Sequence, residues 1–482
     1  METLIQTIKR LSEEDYKMLL ENISVDKFSK PYIVLETARN KEFTDSEMID
    51  LLNVNPSTYY TLKSRLNRKV ASILSRKVEN PISILMEEVS RIPASLYGTN
   101  KQVSIRAMKE LEKQLLEYDL SNELIIVYRT LARLHMYNDE YHHYDRLYNK
   151  FVAFSLSSAK AENLFYDFII KAGEYELTRN SIVLDDMESI LREMLNISEL
   201  YNSHRLFVFF NVIRIYYLFI TATSTDALVE KEMEIDKTLL EMKAIFAKYP
   251  LDNFYNSIKF ISEALYFEYY QRINNHVRAR HHYNGIIKDI PELSCHHILN
   301  FHIIQFLNSK VGFYLATKDQ KVLNEMNDRI IQNLYIEKDE VYNLFSFLRY
   351  QAIVHFYHGN YVDADQILNN MRTILNLKSY MITDMDIKLF QAILFAFMKK
   401  EEPCMQIANS VSRYLREEKV ELENIRMLLK FLRTIFKEAD LQKKEAKLVS
   451  IWDLFISANK GNDAVLTYLK LDSKLIHQLS RN

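Results

Sequence analysis

The sequence predicts an all-α protein built from many stacked helices. The chain has 482 residues but only 6 Gly and 7 Pro, which is too few for the many turns of a β-rich fold or for the phosphate loops of nucleotide-binding folds. Apolar residues make up 48% of the chain and recur at intervals of three and four along its whole length. A chain of this length normally forms two or more folding units, so we expect more than one helical unit.

The first predicted unit covers residues 1–80 and begins with three helices. Ser12 is a good N-cap for the second of them, and proline is favoured in the first turn of a helix, so Pro31 suits the start of the third. The expected helices are Glu2–Arg10, Glu13–Asn22 and Pro31–Asn40.

Two further helices, separated by a tight turn, are predicted in residues 43–69. Thr44 or Asp45 can cap the first of these helices. Asn53 lies at the bend, and asparagine tolerates the left-handed backbone conformation better than most other non-glycine residues. Asn55 and Pro56 suit the N-cap and the first position of the second helix.

The second helix of this pair combines an apolar face with a basic one. Steps of three and four place the following residues inside: Tyr59, Leu62, Leu66, Val70 and Ile73. No Asp or Glu occurs from Leu51 to Val78, whereas that window contains Lys63, Arg65, Arg68, Lys69, Arg76 and Lys77. Phosphate contacts supply most non-specific DNA affinity. A local positive excess in a chain of net charge −2 therefore favours DNA binding at this helix.

Residues 31–77 resemble the helix-turn-helix family of DNA-binding domains. The resemblance departs at Ile49, where the family usually has a small residue, and at Asn53, which replaces the usual turn glycine. It implies that the second helix enters the DNA major groove. By this resemblance, base edges would be contacted by Ser57, Tyr60, Thr61 and Ser64, and phosphates by Lys63, Arg65, Arg68 and Lys69. The alternative is a helical cap whose basic face is only solvated.

Residues 81–100 are predicted to be a linker, and residues 101–482 a long superhelix of stacked helical hairpins. Pro81 ends the basic helix, and Pro93 and Gly98 interrupt the segment that follows. In the superhelix we expect each helix to contact its neighbours and to contribute to a long concave surface. The helices that we predict there include Glu140–Phe154, Ala159–Leu177 and, last in the chain, Asp463–Gln478.

One hairpin, LRYQAIVHFYHGNYVDADQILNNM at residues 348–371, resembles a tetratricopeptide repeat (TPR). Ala352 occupies the small position of the first helix, Gly359 the turn and Ala364 the small position of the second helix. A weaker copy has Ala132 but carries Tyr144 at the second small position. The resemblance implies a TPR-like α-solenoid whose groove holds a peptide or a protein, or which dimerises. An irregular helical bundle is the alternative.

No catalytic, cofactor or metal site is predicted. The histidines between His276 and His302 do not fall on one helical face, and no spaced pair of cysteines accompanies them. The chain has no phosphate-loop motif, no dinucleotide-binding glycine motif and no His-Glu-x-x-His motif. No residue is indicated as a nucleophile or as a general base, so we do not expect an enzyme.

A cytoplasmic location is expected. Cys295 and Cys404 suggest no disulfide framework, and the N-terminal segment does not have the pattern of a signal peptide. The best candidate for a membrane span, Leu206–Ala222, is short and carries Asn211 and Arg214 in its middle. We therefore expect it to be a buried helix and expect no membrane partner.

Taken together, these patterns predict a DNA-binding transcriptional regulator. Its N-terminal domain would bind double-stranded DNA, and its TPR-like domain would bind a peptide or protein partner in the superhelix groove. A homodimer is a further possibility. The alternative is a non-catalytic helical-repeat scaffold that assembles protein complexes without binding DNA.

Overall fold

The protein is entirely helical in the residues that the computed structural model describes. No strand occurs among them, and consecutive helices pack on each other, so the prediction of an all-α superhelical fold is confirmed. Most of the predicted helix Glu2–Arg10 lies outside the described residues. The described residues are 8, 11, 13–23, 29–41, 43–76, 81–98, 100–222, 224–250, 252–438 and 440–481.

Two separate hydrophobic clusters organise the chain. The smaller cluster contains buried residues of the N-terminal helices, such as Leu19, Leu35, Met48 and Leu66. The larger cluster joins the helices that follow. The N-terminal helices are α1 (Glu13–Ile23), α2 (Lys30–Asn40), α3 (Asp45–Leu52) and α4 (Pro56–Arg76).

The helices of the larger cluster follow each other with short connections. In its first half they are α5 (Pro81–Gly98), α6 (Lys101–Glu117), α7 (Ser121–Leu134), α8 (Glu140–Thr178), α9 (Ser181–Leu200), α10 (His204–Thr221), α11 (Thr225–Val229), α12 (Glu232–Lys248), α13 (Asn253–Arg272), α14 (His276–Ile286) and α15 (Ile290–Leu293). In its second half they are α16 (Asn300–Thr317), α17 (Gln320–Asn324), α18 (Asn327–Asn333), α19 (Val341–Tyr357), α20 (Tyr361–Ile374), α21 (Met381–Phe397), α22 (Glu401–Glu417), α23 (Glu423–Lys437), α24 (Leu441–Ala458) and α25 (Ser473–Ser480). Three short 3₁₀ turns, at His297–Leu299, Leu377–Ser379 and Gly461–Asp463, complete the described elements.

The segment predicted to be a linker, 81–100, is helical over most of its length. Leu85, Val89 and Ile92 of α5 belong to the larger cluster, and α5 packs on α6 and α7. The interruption predicted at Pro93 does not occur, because Pro93 lies inside the helix. A proline inside a helix removes one backbone hydrogen bond. The packing of the buried residues of α5 keeps the helix intact despite this loss. The position of the domain boundary stays a prediction.

Helix α8 is the longest helix in the described part of the chain, with 39 residues. The sequence predicted two helices here, Glu140–Phe154 and Ala159–Leu177, and this prediction is wrong. The residues between them, Ser155 to Ser158, include no glycine or proline that would end a helix. Phe154 and Ala161 are both buried, so the helix packs continuously across the predicted break.

Helix α8 also closes the superhelix on itself. It packs on α7, α9 and α10, which are close in sequence, and on α19 and α21, which are not. A Cβ atom at Gly173 would lie 3.0 Å from the Cβ, Cγ and Cδ1 atoms of Tyr342, so this side chain packs directly on the backbone of α8. The Thr383 hydroxyl of α21 donates a 2.8 Å hydrogen bond to the Leu177 carbonyl. The superhelix therefore contains more than contacts between sequence neighbours.

Residues 464–472 form a non-helical segment that we call the C-terminal strap. The predicted helix Asp463–Gln478 is wrong in its first part, because only Ser473–Ser480 is helical. Leu466 has a φ of 52°, outside the helical region, and its N–H donates a 2.6 Å hydrogen bond to Oδ1 of Asp386. The Tyr468 hydroxyl donates to Oδ2 of the same carboxyl at 2.8 Å. A buried carboxyl on α21 thus holds the strap away from helical geometry.

Among the residues that the structure describes, one helix, α10, is long and apolar enough to cross a membrane. It packs on α8, α9, α12 and α13, and half of its 18 residues are buried. The Asn211 amide donates a 2.8 Å hydrogen bond to the Phe207 carbonyl. Arg214 pairs with Glu234 and donates a 2.9 Å hydrogen bond to the Thr238 hydroxyl. These contacts are those of a helix packed inside the superhelix.

We expect Gly173→Ala to destabilise the protein by about 1–3 kcal/mol, because the added Cβ collides with Tyr342. Gly285→Ala in α14 is the matched control. A Cβ there meets nothing within 4 Å, so helix propensity alone predicts a gain of up to about 1 kcal/mol. Chemical denaturation followed by circular dichroism measures both changes. Equal effects of the two substitutions would contradict the close packing of Tyr342 on α8.

Candidate nucleic-acid interface

Helix α3 begins with a complete capping box. The Thr44 hydroxyl accepts a 3.3 Å hydrogen bond from the Glu47 N–H, and the Glu47 carboxylate accepts one of 2.7 Å from the Thr44 N–H. This second hydrogen bond holds the pKa of Glu47 below its usual value. Of the two caps that the sequence allowed, the structure uses Thr44, which leaves Asp45 free to contact α4.

The turn between α3 and α4 is the one that the sequence predicts. Asn53 has φ 48° and ψ 57°, in the left-handed region that asparagine tolerates. The Val54 N–H donates a 3.3 Å hydrogen bond to the Ile49 carbonyl, which ends α3. The Asn55 side chain accepts a 2.7 Å hydrogen bond from the Thr58 N–H and so caps α4. These local bonds fix the angle at which α4 leaves the turn.

The inner face of α4 anchors it to the N-terminal cluster. Tyr59, Leu66 and Val70 are buried, and Leu62 is partly buried, as the spacing predicts. The side chain of Ile73 lies outside the described residues. Because one face of α4 is packed in this way, the position of its opposite face is also determined.

The opposite face of α4 is open to solvent. Its exposed side chains are Ser57, Tyr60, Thr61, Ser64, Arg65 and Lys69. The Tyr60 ring is 52% exposed, and the Thr61 hydroxyl donates a 2.8 Å hydrogen bond to the Ser57 carbonyl. The side chain of Arg68 lies outside the described residues. Six of the eight residues predicted to contact DNA therefore share one accessible surface, which we call the α4 face.

Lys63 differs from the other basic residues because it pairs with Asp45. Its Nζ lies 2.6 Å from Oδ1 of Asp45, and its side chain is only 24% exposed. The Tyr59 hydroxyl donates to the same carboxylate oxygen at 2.9 Å. The hydrogen bond from Lys63 is the main cause that lowers the pKa of Asp45. Sequence reasoning missed this pair because its members lie on different helices and no local pattern connects them.

No metal centre is formed within the described part of the chain, where no group of three or more His, Cys, Asp or Glu residues is arranged to hold an ion. His282 is instead placed by its neighbours. Its Nδ1 lies 2.7 Å from a Glu263 carboxylate oxygen, and its ring stacks on Tyr266 with centroids 4.4 Å apart. His282, one of the histidines between His276 and His302, is therefore engaged in packing contacts with its neighbours.

A comparison with protein-family models, with curated proteins and with solved structures finds no match for this chain. The interpretation of the α4 face therefore depends on its own residues, their exposure and their charge.

The Asp45–Lys63 pair is expected to stabilise the N-terminal helices in a pH-dependent way. A carboxyl group whose pKa is lowered by folding stabilises the folded state above its unfolded pKa, here about 3.8, and this contribution is lost as the pH falls through the lowered value. Asp45→Asn should therefore speed hydrogen–deuterium exchange in residues 44–66 at pH 7, and the difference from the native chain should shrink below about pH 4. A difference that stays constant with pH would contradict the ion pair.

Proposed function

We propose that this protein is a DNA-binding transcriptional regulator in which α3, the turn and α4 act as a helix-turn-helix. The observation that carries the proposal is the α4 face, which is exposed and bears Arg65 and Lys69. No acidic residue occurs between Leu51 and Val78 to oppose these charges locally. Because the whole chain has a net charge of −2, the positive surface is a local feature suited to a polyanion.

Within this proposal the residues of the α4 face divide into two groups. Ser57, Tyr60, Thr61 and Ser64 would contact base edges in the major groove, because they lie on the outer side of the helix near its N-terminus. The second group, Arg65 and Lys69, would contact phosphates. Arg68 stays a prediction from the sequence, because its side chain lies outside the described residues. Lys63 does not belong to either group, because its ammonium group already pairs with the carboxylate of Asp45.

The superhelix would supply the regulatory half of the protein. In the hairpin α19–α20, Ala352 and Ala364 are fully buried and Gly359 has a φ of 79°, which supports the TPR-like interpretation. In the weaker copy, Ala132 and Tyr144 are also buried. A TPR-like superhelix of this kind would bind a peptide or protein, or a second copy of the chain. A scaffold without DNA binding is the competing proposal.

We expect Arg65→Ala combined with Lys69→Ala to weaken binding to random duplex DNA. Each lost phosphate contact should flatten the dependence of log affinity on log salt by about one unit, so the double variant should lose about two units of slope. Fluorescence anisotropy at several salt concentrations measures this slope for the full chain.

The matched control for this experiment is Lys321→Ala combined with Arg329→Ala. These two residues are also exposed, but they belong to α17 and α18 of the superhelix. A slope that is unchanged in the α4 variant, or that is flattened equally in the control, would contradict the proposal. If the native chain binds no DNA, the scaffold interpretation replaces it.

Asp45→Asn should have the opposite effect on DNA binding. The substitution removes a negative charge close to α4 and releases Lys63 from its ion pair. The salt slope should therefore steepen by up to about one unit as Lys63 gains access to a phosphate. Glu36→Gln removes an exposed charge from α2 and is the control for net charge alone. A salt slope that does not steepen in Asp45→Asn would contradict this role of Lys63. Affinity at a single salt concentration does not decide it, because the same substitution is expected to loosen residues 44–66.

A further inference from the structure

A polar cavity of about 400 Å³, partly open to solvent, lies between helices of the superhelix. Its walls come from helices that are distant in sequence and from the C-terminal strap. They include Gln271 of α13, Asn308 of α16, Arg349 of α19 and Tyr468 of the strap. A volume of this size is typical of sites for small molecules.

Two arginines of the cavity wall are already paired. Arg179 Nη2 lies 2.7 Å from a carboxylate oxygen of Glu176. Arg272 Nη2 lies 2.7 Å from a carboxylate oxygen of Glu268, and its Nη1 donates a 2.9 Å hydrogen bond to the Phe219 carbonyl. These two glutamates are the acidic residues among the described residues that line the cavity. Because each glutamate already pairs with one of these two arginines, the third arginine of the cavity wall has no carboxylate partner in the cavity.

That third arginine, Arg349, contacts two aromatic rings. Its guanidinium carbon lies 4.9 Å from the centre of the Phe345 ring and 5.1 Å from that of Tyr468. Throughout the described part of the chain, no hydrogen-bond acceptor and no carboxylate pairs with its N–H groups. Stacking fixes the plane of a guanidinium group, whereas its donors point outward along the edge. Arg349 therefore presents an oriented set of donors that the protein itself leaves unused.

Asp386 does not form an ion pair with Arg349, although it is close enough for the charge of Arg349 to act on its pKa. Both of its oxygens accept hydrogen bonds from the strap, one from the Leu466 N–H and one from the Tyr468 hydroxyl. Burial raises the pKa of this carboxyl and so disfavours its charged form. The positive charge of Arg349 is thus poorly balanced by its own surroundings.

The cavity also contains side-chain amides that have no described protein partner. Gln271 and Asn308 both line the cavity and are partly exposed to it. The Gln271 amide lies close against Gly312, where a Cβ atom would approach its Nε2 to 3.0 Å. An amide can both donate and accept hydrogen bonds. These groups suit the polar remainder of a molecule whose charged end contacts Arg349.

We propose that this cavity binds a small polar molecule with an oxyanion group, a carboxylate or a phosphate, which accepts hydrogen bonds from Arg349. Gln271 and Asn308 contact the rest of the molecule. Tyr468 belongs to both the strap and the wall, so an occupied cavity also holds the strap in place. This site goes beyond the proposed function, because it does not depend on whether α4 binds DNA.

The test is isothermal titration of the full chain, without DNA, with three probes. Succinate presents carboxylates, inorganic phosphate presents a phosphate, and succinamide has the size of succinate but no charge. Saturable binding of succinate or of phosphate supports the proposal, and the anion that binds identifies the head group. Binding of succinamide as tight as that of succinate would overturn it, as would no binding of either anion up to about 10 mM.

Arg349→Gln should weaken anion binding about tenfold or more, since hydrogen bonds to a charged group are lost. The matched control is Arg413→Gln, which changes a largely exposed arginine on α22, and should leave binding unchanged. Equal binding by native chain and Arg349→Gln would overturn the proposal.

Asn308→Asp is a second variant that leaves the stacking of Arg349 on Tyr468 intact. It adds a carboxylate to the cavity wall, which repels an incoming anion. We expect anion binding to be abolished while circular dichroism stays that of the native chain. If Arg349→Gln fails to fold, this variant still decides the question, because unchanged anion binding in Asn308→Asp would contradict the site.

Discussion

The contact between Gly173 and Tyr342 brings the first and later parts of the superhelix together. It sets α8 directly against α19. Glu176 lies one turn further along α8 and Arg179 directly follows its end, and both form part of the cavity wall. Helix α21 also packs on α8 and carries Asp386, to which the strap is bound. The cavity and the path of the strap therefore both depend on how closely α8 and α19 approach. The glycine lets the Tyr342 side chain pack on the backbone of α8, and an added Cβ atom would have to displace that side chain.

The two candidate sites handle positive charge in different ways. On the α4 face, Arg65 and Lys69 extend into water, where their attraction for an anion acts over distance and is weakened by salt. Lys63 pairs with Asp45 and is not part of this surface. The α4 face is therefore less basic than the composition of helix α4 suggests. In the cavity, the guanidinium group of Arg349 lies against two aromatic rings, and in our proposal it acts through hydrogen bonds at short range. A DNA backbone suits the first arrangement, and a small anion of defined shape suits the second.

Local features of the sequence predicted much of the N-terminal helix pair and of the helical class. The left-handed turn at Asn53, the cap at Thr44 and the inner face with Tyr59 and Leu66 all follow from residues within a few positions of each other. Features that depend on distant residues were not predictable in this way. The Asp45–Lys63 pair, the packing of Tyr342 on Gly173 and the non-helical strap each join segments whose proximity only the folded chain reveals. The continuous helix α8 was missed for a different reason, because serines at its middle weaken a helix without ending it.

Closure through α8 has a consequence for how the protein is made. Tyr342 follows Gly173 by 169 residues in the chain, which at typical synthesis rates of about 5–20 residues per second corresponds to a delay on the order of 10–30 s. During that interval the ribosome has already released α8, whereas its packing partners α19 and α21 do not yet exist. The nascent protein must therefore keep an apolar surface of α8 shielded from other chains until α19 and α21 have been synthesised. Contacts between such distant residues also slow folding, because a long loop has to close before they can form.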